Sequence, residues 1–294
     1  MSKILPKVSV VIPTRNRLEL LKQCLQTLLA QNISADEMEI IVVDDGSTDD
    51  TATRVCSIAE QNRVSLRLVK GQGRGPATAR NIGWRAAKAP IILFTDDDCE
   101  PSSKWVCEMA DFLDFNPEFG GVGGQIRRLK ESSAASYTDD CGAMEHPGSE
   151  DNAHYLVSAN AAYRRSLLEL VGGFDESFPC AGGEDPDLSF RLRACGVKLA
   201  KVSRALVRHN HPSSLAAIYR MFHRYGRGQF VLAALVQGKY RERGLTSLKR
   251  DLQQSYLRYR LRTDLAPEDR IFFGLCDFVR CWGMFQGYRY QSRQ

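Results

Sequence analysis

The sequence predicts an α/β protein with a mainly parallel sheet, helices flanking that sheet, and a helical C-terminal extension. Short apolar runs alternate with helical patterns through the first 100 residues, which is typical of β-α-β units with right-handed crossovers. The polar clusters in this part of the chain follow the apolar runs, at the strand ends where parallel sheets bind their ligands. From residue 214 onward the pattern is helical.

The predicted strands are apolar runs rich in β-branched residues and bounded by turn or polar residues. They cover residues 8–13, 39–43, 65–69, 91–94, 120–126, 155–160 and 197–207. Pro13 ends the first strand, because proline has no N–H to donate to a sheet ladder. The run at 91–94 is wholly apolar, which indicates a strand buried on both faces.

The predicted helices carry apolar residues at intervals of three and four. They cover residues 18–30, a segment ending near 61, a segment starting near 76, and residues 102–115, 164–171 and 184–195. We expect Ser47 or Thr48 to cap the second helix and Pro76 to occupy the first position of the third. Gly172 and Gly173 are expected to stop the fifth.

Two regions allow more than one interpretation. Residues 132–152 show little periodicity and are rich in Ser, Asp, Gly and Glu, which fits a mobile loop at the functional face or a tolerated surface insertion. The first helix of the C-terminal extension has one apolar and one basic stripe, which fits a membrane-surface helix or a helix packed on the body. The stripes are Ile218, Phe222 and Tyr225, and Arg220, Arg224 and Arg227. Burial is expected for Phe272, Phe273, Phe278 and Trp282.

The composition bounds the class of protein. A content of 43% hydrophobic and 26% charged residues is ordinary for a soluble globular chain. The nine cysteines include no C-x-x-C pair, which favours reduced thiols over a disulfide framework or a zinc site. The sequence has neither a signal-peptide layout at its start nor an apolar run near the ~20 residues of a membrane span, so a cytoplasmic location is expected.

The net charge of +5 is unevenly distributed. Residues 201–294 contain 18 Lys and Arg against 6 Asp and Glu, whereas residues 1–200 contain 22 against 29. An acidic body with a basic tail fits peripheral contact with the anionic inner face of a membrane, or with an anionic acceptor. Nucleic acid is not expected as a partner, because no recognisable nucleic-acid module accompanies the basic residues.

The strongest chemical signal is the triplet Asp96-Asp97-Asp98, which directly follows the buried strand at 91–94. Adjacent carboxylates repel one another, and a divalent cation placed among them relieves that repulsion. Carboxylate oxygens suit Mg²⁺ or Mn²⁺. A solvated acidic loop is the alternative for the triplet by itself.

Three further polar clusters also have structural alternatives. Glu184 and Asp185 stand at a helix start, where carboxylates are common as caps. His209 and His211 follow a predicted strand and could share a metal with an acidic cluster or be solvated. The glycine-rich segment 71–75 lacks G-x-G-x-x-G spacing and follows the third strand rather than the first, which argues against hydride transfer with a dinucleotide.

Six motifs in order resemble those of family 2 glycosyltransferases with the GT-A fold, a Rossmann-like architecture. They are VSVVIPTRNR (8–17), IVVDDGST (41–48), ATARNIG (77–83), TDDD (95–98), GGFDE (172–176) and GED (183–185). The resemblance implies transfer of a sugar, with inversion, from a nucleotide-diphosphate donor to a hydroxyl acceptor. It also implies a catalytic, nucleotide-sugar-binding domain at 1–212, which leaves 213–294 as a basic helical extension.

By analogy with the family, the base and ribose of the nucleotide are held by the strand-end loops, with a basic or amide side chain nearby. The residues in these positions are Pro13, Thr14, Arg15 and Asp45, with Arg80 or Asn81 nearby.

The same analogy assigns the metal and the base. Asp98 is expected to bind Mg²⁺ or Mn²⁺ directly, with Asp96 or Asp97 nearer the ribose. His211 matches a histidine that completes the metal and diphosphate site, and His209 is the reserve candidate. Asp185 matches the general base and is preceded by Glu184.

Two other functions stay open. A sugar-nucleotide-forming nucleotidyltransferase would hold a metal-bound nucleotide on a similar sheet, but the loop at 14–17 lacks the glycines of its phosphate-holding signature. A non-catalytic membrane-surface scaffold would need only the basic tail, and the complete acidic set argues against it. The family implies a glycan or lipid-linked acceptor in cell-surface polysaccharide or glycolipid synthesis, and the sequence leaves the sugar and the oligomeric state open.

Overall fold

The computed structural model describes residues 5–178, 180–212, 214–237, 253, 259 and 262–291. The chain forms two compact units. The first comprises residues 1–129, 144–176 and 185–210, and the second comprises residues 130–143, 177–184 and 211–294. The second unit thus takes two short segments from the part of the chain before residue 212, which the predicted domain division does not include.

The first unit is organised around an eight-stranded sheet. The strands of the chain are β1 (Val8–Thr14), β2 (Met38–Asp44), β3 (Ser65–Lys70), β4 (Ile91–Phe94), β5 (Cys99–Pro101), β6 (Phe119–Arg128), the hairpin strands β7 (Gly148–Ser149) and β8 (Asn152–Ala153), β9 (Ala161–Arg164) and β10 (Lys198–His209). The sheet order is β3-β2-β1-β4-β9-β6-β10-β5. Strands β1 to β4 are mutually parallel, β6 and β10 are parallel, and β9 and β5 run antiparallel to their neighbours. The predicted mainly parallel sheet is therefore confirmed.

Helices flank the sheet and form the second unit. They are α1 (Leu18–Leu29), α2 (Thr51–Glu60), α3 (Pro76–Ala86), α4 (Trp105–Phe115), α5 (Ser133–Asp140), α6 (Arg165–Val171), α7 (Glu184–Ala194), α8 (Leu215–Gln237) and α9 (Pro267–Gln291). Pro76 lies in the first turn of α3, as predicted, and Gly172 ends α6 in the left-handed conformation, with a φ of 79°. Helix α2 begins later than predicted, and the Asp49 carboxylate, not Ser47 or Thr48, accepts the Thr51 N–H at its start.

The two faces of the sheet bury separate apolar clusters. Val10 packs with α1 and α4 on one face, whereas its neighbour Val11 packs with α3 and α7 on the other. Successive strand residues point to opposite faces, so a strand buried on both sides must be apolar at every position. Burial of each aliphatic side chain stabilises the folded state by about 1.5–3 kcal/mol. The two clusters together hold the strand ends in place.

The predicted strand at 155–160 is wrong, because β9 begins only at Ala161 and residues Ser158–Asn160 form a 3₁₀ turn. Side chains rather than a neighbouring strand satisfy the backbone here. The Leu156 N–H donates to Ser189 Oγ at 3.0 Å, and the Val157 N–H donates to His146 Nδ1 at 2.9 Å. An apolar segment whose N–H groups are already paired has no need of a sheet ladder.

The segment at 132–152 is also more ordered than predicted. Ser132 caps α5, since its Oγ accepts the Ala135 N–H at 3.1 Å, and the hairpin of β7 and β8 follows. The sequence signal for this helix is a serine in the N-cap position, directly before a short segment that contains alanine. The segment lacks apolar periodicity, so periodicity alone does not predict the helix.

The second unit packs α5, α8 and α9 around aromatic side chains. Tyr137 of α5 meets Phe222 of α8 edge-on, with 4.6 Å between ring centroids, and also contacts Phe273 of α9. Helices α8 and α9 approach closely through glycines, since a Cβ on Gly226 would lie 1.9 Å from the Arg280 carbonyl oxygen and one on Gly283 would lie 2.3 Å from that of His223. No helix in the described parts of the chain is long and apolar enough to cross a membrane.

Two of the four aromatic side chains that are predicted to be buried in this unit are exposed. Phe273 is buried and Phe272 is half-buried, but Phe278 and Trp282 are 50% and 37% exposed. On α8, Ile218 and Phe222 are buried as the apolar stripe predicts, and Tyr225 is half-buried. The basic stripe is exposed at Arg220 and Arg224 and half-buried at Arg227.

Candidate active site

The carboxyl ends of β1 and β2 are tied to each other by polar contacts. Asn16 adopts a left-handed conformation with a φ of 52° and donates its N–H to Ser47 Oγ at 2.9 Å. Its side-chain Oδ1 accepts the Thr48 N–H at 2.7 Å. Asparagine tolerates this conformation better than most residues, because its short polar side chain can bond locally. The loops after β1 and β2 therefore form one fixed rim of the site.

The acidic triplet lies beside this rim, and two loop side chains bind it directly. Thr14 Oγ1 donates to Asp97 Oδ2 at 2.8 Å. The Arg17 guanidinium bridges the last two carboxylates, with Nη1 2.8 Å from Asp97 Oδ1 and Nη2 2.5 Å from Asp98 Oδ2. The Asp97 and Asp98 side chains are only 3% and 9% exposed, whereas Arg17 is 40% exposed. Asp97 and Asp98 thus form a buried charge cluster and not a solvated loop, whereas the Asp96 side chain is 25% exposed.

The pKa values of this cluster follow from burial and from mutual charge. Burial raises the pKa of the Asp97 carboxyl above its ordinary range, although the Arg17 charge opposes the shift. Burial also acts against the charged form of Asp98, but the interactions with His209 and Arg17 outweigh it and lower the Asp98 pKa. Burial alone would lower the Arg17 pKa, and the Asp98 and Asp97 charges instead raise it. Arg17 and Asp98 therefore each favour the charged form of the other and form an ion pair.

A second set of possible metal ligands meets at Asp98. Ligand atoms of Asp98, Cys99 and His209 lie within 4.8 Å of one another, and all three residues are buried. His209 Nε2 is 3.4 Å from Asp98 Oδ1. Burial raises the Cys99 pKa well above its ordinary value, and a soft sulfur ligand does not suit the hard cations Mg²⁺ and Mn²⁺. The remaining donors are a carboxylate and an imidazole, and a carboxylate oxygen is a ligand type that suits Mg²⁺ and Mn²⁺.

Asp45 organises the glycine-rich loop after β3. Its Oδ1 and Oδ2 accept the N–H groups of Gly73 and Gly75, each at 2.8 Å. A Cβ on Gly71 would lie 2.8 Å from Asp45 Oδ1, so this position requires glycine for close approach. Asp45 thus positions the loop 71–75, whatever further contact it makes with a ligand.

Arg80 joins the acidic triplet to Asp185. It projects from α3, is 4% exposed, and places Nη2 2.8 Å from Asp96 Oδ1 and Nη1 4.0 Å from Asp185 Oδ1. Its guanidinium lies 5.6 Å from the centroid of the Phe174 ring, within the range of cation–π attraction. A buried arginine is stable only when paired, and here two acidic side chains supply the partners.

Asp185 is oriented by Ser158. Asp185 Oδ2 accepts hydrogen bonds from the Ser158 N–H and from Ser158 Oγ, both at 3.0 Å. Its side chain is 16% exposed. The 3₁₀ turn that displaced the predicted strand is therefore what brings the Ser158 donors to this carboxylate.

Asn81, which is predicted to lie near the nucleotide, makes four hydrogen bonds within the protein. Its Nδ2 donates to the Phe174 carbonyl oxygen at 2.8 Å and to Glu176 Oε1 at 2.9 Å. Its Oδ1 accepts from Trp84 Nε1 and from the Phe174 N–H, both at 2.9 Å. A primary amide has two donors and two lone pairs, and all four are used within the protein. Asn81 therefore anchors the segment 174–176 to α3.

The remaining predicted residues lie at the rim or in the second unit. Pro13 is half-buried and Arg15 is exposed beside the loop that carries Arg17. Within the second unit, Glu184 accepts the N–H groups of Gly182 and Gly183 at 2.8 and 3.0 Å, which gives it a local structural role. His211 belongs to the second unit and is 9% exposed.

Sequence reasoning missed three positioning residues. In the sequence, Arg17 is one of two arginines in the first loop, and nothing in the sequence distinguishes it from Arg15. Its contact with two carboxylates depends on the pairing of β1 with β4. Ser158 was assigned to a strand. His146 was in the segment without periodicity, although its ring packs over Gly123, where a Cβ would lie 2.5 Å from Nε2. The glycine-rich strand β6 was the available signal for a large side chain lying across it.

Comparison with known proteins identifies the family. The model for glycosyl transferase family 2 matches residues 9–172, and that for glycosyl transferase family group 2 matches residues 91–270. The validoxylamine A glucosyltransferase of Streptomyces hygroscopicus subsp. jinggangensis is 32% identical over 235 residues, which cover 68% of this chain and 54% of that protein. The pre-mycofactocin glycosyltransferase of Mycobacterium tuberculosis is 32% identical over 222 residues, covering 71% and 43%. The chain spans about half the length of these curated relatives.

Solved structures share the fold at lower identity. The mannosyltransferase PcManGT from Pyrobaculum calidifontis, in complex with GDP-Man and Mn²⁺, superposes with a TM-score of 0.61 at 20% identity and covers 99% of this chain and 75% of its own. S. aureus TarS in complex with UDP gives a TM-score of 0.57 at 18% identity, covering 98% and 92%. These are GT-A glycosyltransferases, and with the family match over more than half of its length this chain belongs to glycosyl transferase family 2 and has the GT-A fold.

Proposed function

We propose that the chain transfers a sugar from a nucleotide-diphosphate donor to a hydroxyl acceptor, with inversion at the anomeric carbon. The observation that carries the proposal is the linkage of Asp96 to Asp185 through Arg80. It places an oriented carboxylate next to a buried acidic cluster at the carboxyl edge of a parallel sheet. Such an edge is where ligands of open α/β sheets bind.

Asp185 is the proposed general base. An acceptor hydroxyl has a pKa far above neutral, so a carboxylate must accept its proton while the oxygen attacks the sugar from the face opposite the leaving group. The two Ser158 donors occupy Oδ2 and fix the carboxylate plane, which leaves Oδ1 on the side of Arg80. General-base assistance of this kind contributes about 10²- to 10⁴-fold to the rate.

Asp98 and His209 are the proposed ligands for Mg²⁺ or Mn²⁺, and His211 stays a predicted contributor. A bound cation would act as a Lewis acid that stabilises the charge developing on the departing diphosphate. The match between a carboxylate donor and these cations supports the assignment. PcManGT was solved with Mn²⁺, which supports metal use in this fold.

The donor is a nucleotide sugar. PcManGT and TarS were solved with GDP-Man and with UDP-GlcNAc, which are both nucleotide-diphosphate sugars. In this chain Thr14 donates to Asp97, and the Asp45 N–H donates to the Thr14 carbonyl oxygen. Thr14, Arg15 and the loop held by Asp45 are the proposed cradle for base and ribose. The acceptor is proposed to be a glycan or a lipid-linked glycan.

The test is release of nucleoside diphosphate from a panel of UDP- and GDP-sugars with Mn²⁺. We expect turnover of at least one donor by the wild type and loss of about 10²-fold or more for Asp185→Asn, with nucleoside diphosphate binding retained. Asp114→Asn is the control, because Asp114 is a 42% exposed carboxylate that pairs with Lys7 away from the site. Undiminished transfer by the folded Asp185→Asn variant would remove the base assignment. Formation of a nucleotide sugar from a sugar phosphate would favour the nucleotidyltransferase alternative.

We also propose peripheral contact between the second unit and an anionic membrane. Four apolar side chains at intervals of four, three and four form an exposed stripe on α9: Ile271, Leu275, Phe278 and Trp282, which are 68%, 59%, 50% and 37% exposed. Large exposed apolar patches on soluble proteins mark interaction sites. The exposed Arg220 and Arg224 on α8 and the basic charge of residues 201–294 fit an anionic lipid surface.

Vesicle flotation tests this contact. The wild type should float with phosphatidylglycerol-containing vesicles and not with pure phosphatidylcholine, and the double variant Leu275→Ser, Phe278→Ser should lose flotation. Leu170→Ser is the control, because Leu170 is 62% exposed on α6 of the first unit. Flotation that is unchanged in the double variant, or loss of a dimer in solution instead, would contradict membrane contact through this stripe.

A further inference from the structure

We infer that Arg17 is an internal counter-ion of the acidic pair and competes with a divalent cation for the charge of Asp97 and Asp98. The inference rests on the proposed metal site at Asp98. It assigns to Arg17 a positioning role that couples cation binding to donor binding.

Asp97 and Asp98 together present four carboxylate oxygens. Asp97 Oδ1 faces Arg17 Nη1 at 2.8 Å, and Asp97 Oδ2 accepts from Thr14 Oγ1 at 2.8 Å. Asp98 Oδ2 faces Arg17 Nη2 at 2.5 Å, and Asp98 Oδ1 faces His209 Nε2 at 3.4 Å. Every oxygen of the pair therefore has a protein partner, and Arg17 supplies one for each carboxylate.

A cation and this guanidinium compete for the same charge. Two adjacent carboxylates that are 3% and 9% exposed need a positive charge nearby, and Arg17 already supplies it. A divalent cation that bound Asp98 in contact with Arg17 would meet a like charge in a poorly solvated site. Because His209 faces Asp98 Oδ1 and Arg17 holds Asp98 Oδ2, the cation and the guanidinium would share one carboxylate, and their mutual repulsion favours withdrawal of the guanidinium from Asp98.

Arg17 can withdraw without rearrangement of its loop. Asn16 is pinned to Ser47 and Thr48 by backbone and side-chain hydrogen bonds, so the backbone beside Arg17 is fixed. The Arg17 side chain is 40% exposed and has four rotatable bonds, so its end can swing away from the pair. A donor diphosphate offers it a new partner, because guanidinium groups bind phosphate oxygens in a bidentate manner.

The consequence is positive coupling between cation and nucleotide. Without nucleotide, an Arg17 guanidinium repelled by the cation has only solvent as a new partner, which weakens cation binding. With nucleotide present, Arg17 exchanges one anionic partner for another, and the cation binds more tightly. Coupling between two ligands is reciprocal, so the cation must strengthen nucleotide binding by the same factor.

The experiment measures Mn²⁺ binding by the electron paramagnetic resonance signal of free Mn²⁺, with and without UDP or GDP. The Arg17→Gln variant should bind Mn²⁺ roughly tenfold more tightly than the wild type in the absence of nucleotide, since it removes one positive charge in contact with the ligands. The same variant should show a smaller gain in Mn²⁺ affinity on addition of nucleotide. Arg54→Gln, an exposed position on α2, controls for net charge, and Arg17→Lys, which keeps the charge, should bind Mn²⁺ close to the wild type.

Two results would overturn the inference and identify what failed. If the folded Arg17→Gln variant binds Mn²⁺ no more tightly than Arg54→Gln while nucleotide-dependent Mn²⁺ binding persists, Arg17 does not compete with the cation and the proposed function stands. If neither wild type nor variant binds Mn²⁺ with or without nucleotide, the cation site itself is wrong and the inference falls with it. Circular dichroism on each variant establishes that the measurements refer to folded protein.

Discussion

Replacing Asn81 with leucine tests whether this residue holds the fold or the nucleotide. Asn81 is 1% exposed, and its amide pairs with both the N–H and the carbonyl of Phe174 and with Trp84 Nε1. The leucine side chain fills a similar volume but leaves these three groups unpaired. Phe174 and Trp84 are 3% and 4% exposed, so water cannot readily replace the lost bonds.

The magnitude follows from the cost of unpaired buried groups. Each costs about 1–3 kcal/mol, and with partial relaxation the free energy of unfolding should fall by about 3–5 kcal/mol. Each kcal/mol of lost unfolding free energy lowers the melting temperature by about 2–4 °C, so the melting temperature should fall by roughly 6–20 °C. The control Asn62→Leu changes an exposed amide that donates to a single carbonyl, that of Ile58 at 2.7 Å, and should shift melting by only a few degrees.

The assay combines thermal melting with calorimetric binding of a nucleoside diphosphate well below the melting temperature. We expect a large loss of stability for Asn81→Leu with the dissociation constant unchanged within about threefold. A melting temperature equal to that of the Asn62→Leu control, together with lost nucleotide binding, would refute the structural role and favour the predicted contact with nucleotide.

Three other predictions concern the metal, the glycine loop and acid stability. Asp98→Ala should abolish Mn²⁺-dependent nucleotide binding, and calorimetry that shows unchanged binding would move the cation elsewhere. Asp45→Ala should increase amide hydrogen exchange at Gly73 and Gly75, because each N–H loses its carboxylate acceptor, and should weaken nucleotide binding by about tenfold; unaltered exchange would exclude a positioning role. Burial lowers the pKa of His146 from 6.5 to about 4. Between these two pH values His146 is protonated in the unfolded chain but not in the folded protein. The free energy of unfolding therefore falls by roughly 3 kcal/mol as the pH drops through this range. Denaturant unfolding at pH 7 and pH 4 measures this loss of unfolding free energy. The loss should be smaller in His146→Gln than in the wild type by a similar amount, and an equal loss in both proteins would exclude His146 as its source.

Periodicity and strand-end polarity predicted most of the sheet, because a strand buried on both faces must be apolar throughout. Val10 and Val11 illustrate this, since they belong to different clusters on opposite faces. The same reasoning failed at 155–160, where an equally apolar segment pairs its N–H groups with Ser189 and His146. Apolarity reports burial, and only the partners of the backbone decide between a strand and a turn.

The contents of the site were predictable in part. The sequence reveals that Asp96, Asp97 and Asp98 follow a buried strand, but it does not reveal which side chain neutralises them. That depends on the parallel pairing of β1 with β4, which brings Arg17 across from a segment about 80 residues later in the chain. The exposed Phe278 likewise looks like a core residue in sequence, because an outward-facing apolar stripe has the same spacing as an inward-facing one.

The most direct test of the account is the location of Mn²⁺ by anomalous diffraction from crystals grown with Mn²⁺ and UDP or GDP. We expect an anomalous peak in bonding contact with an Asp98 carboxylate oxygen, with the Arg17 guanidinium withdrawn from Asp98 and turned to the diphosphate. A nucleotide bound at the strand ends with no peak at Asp98, or with Arg17 still bridging Asp97 and Asp98, would contradict it.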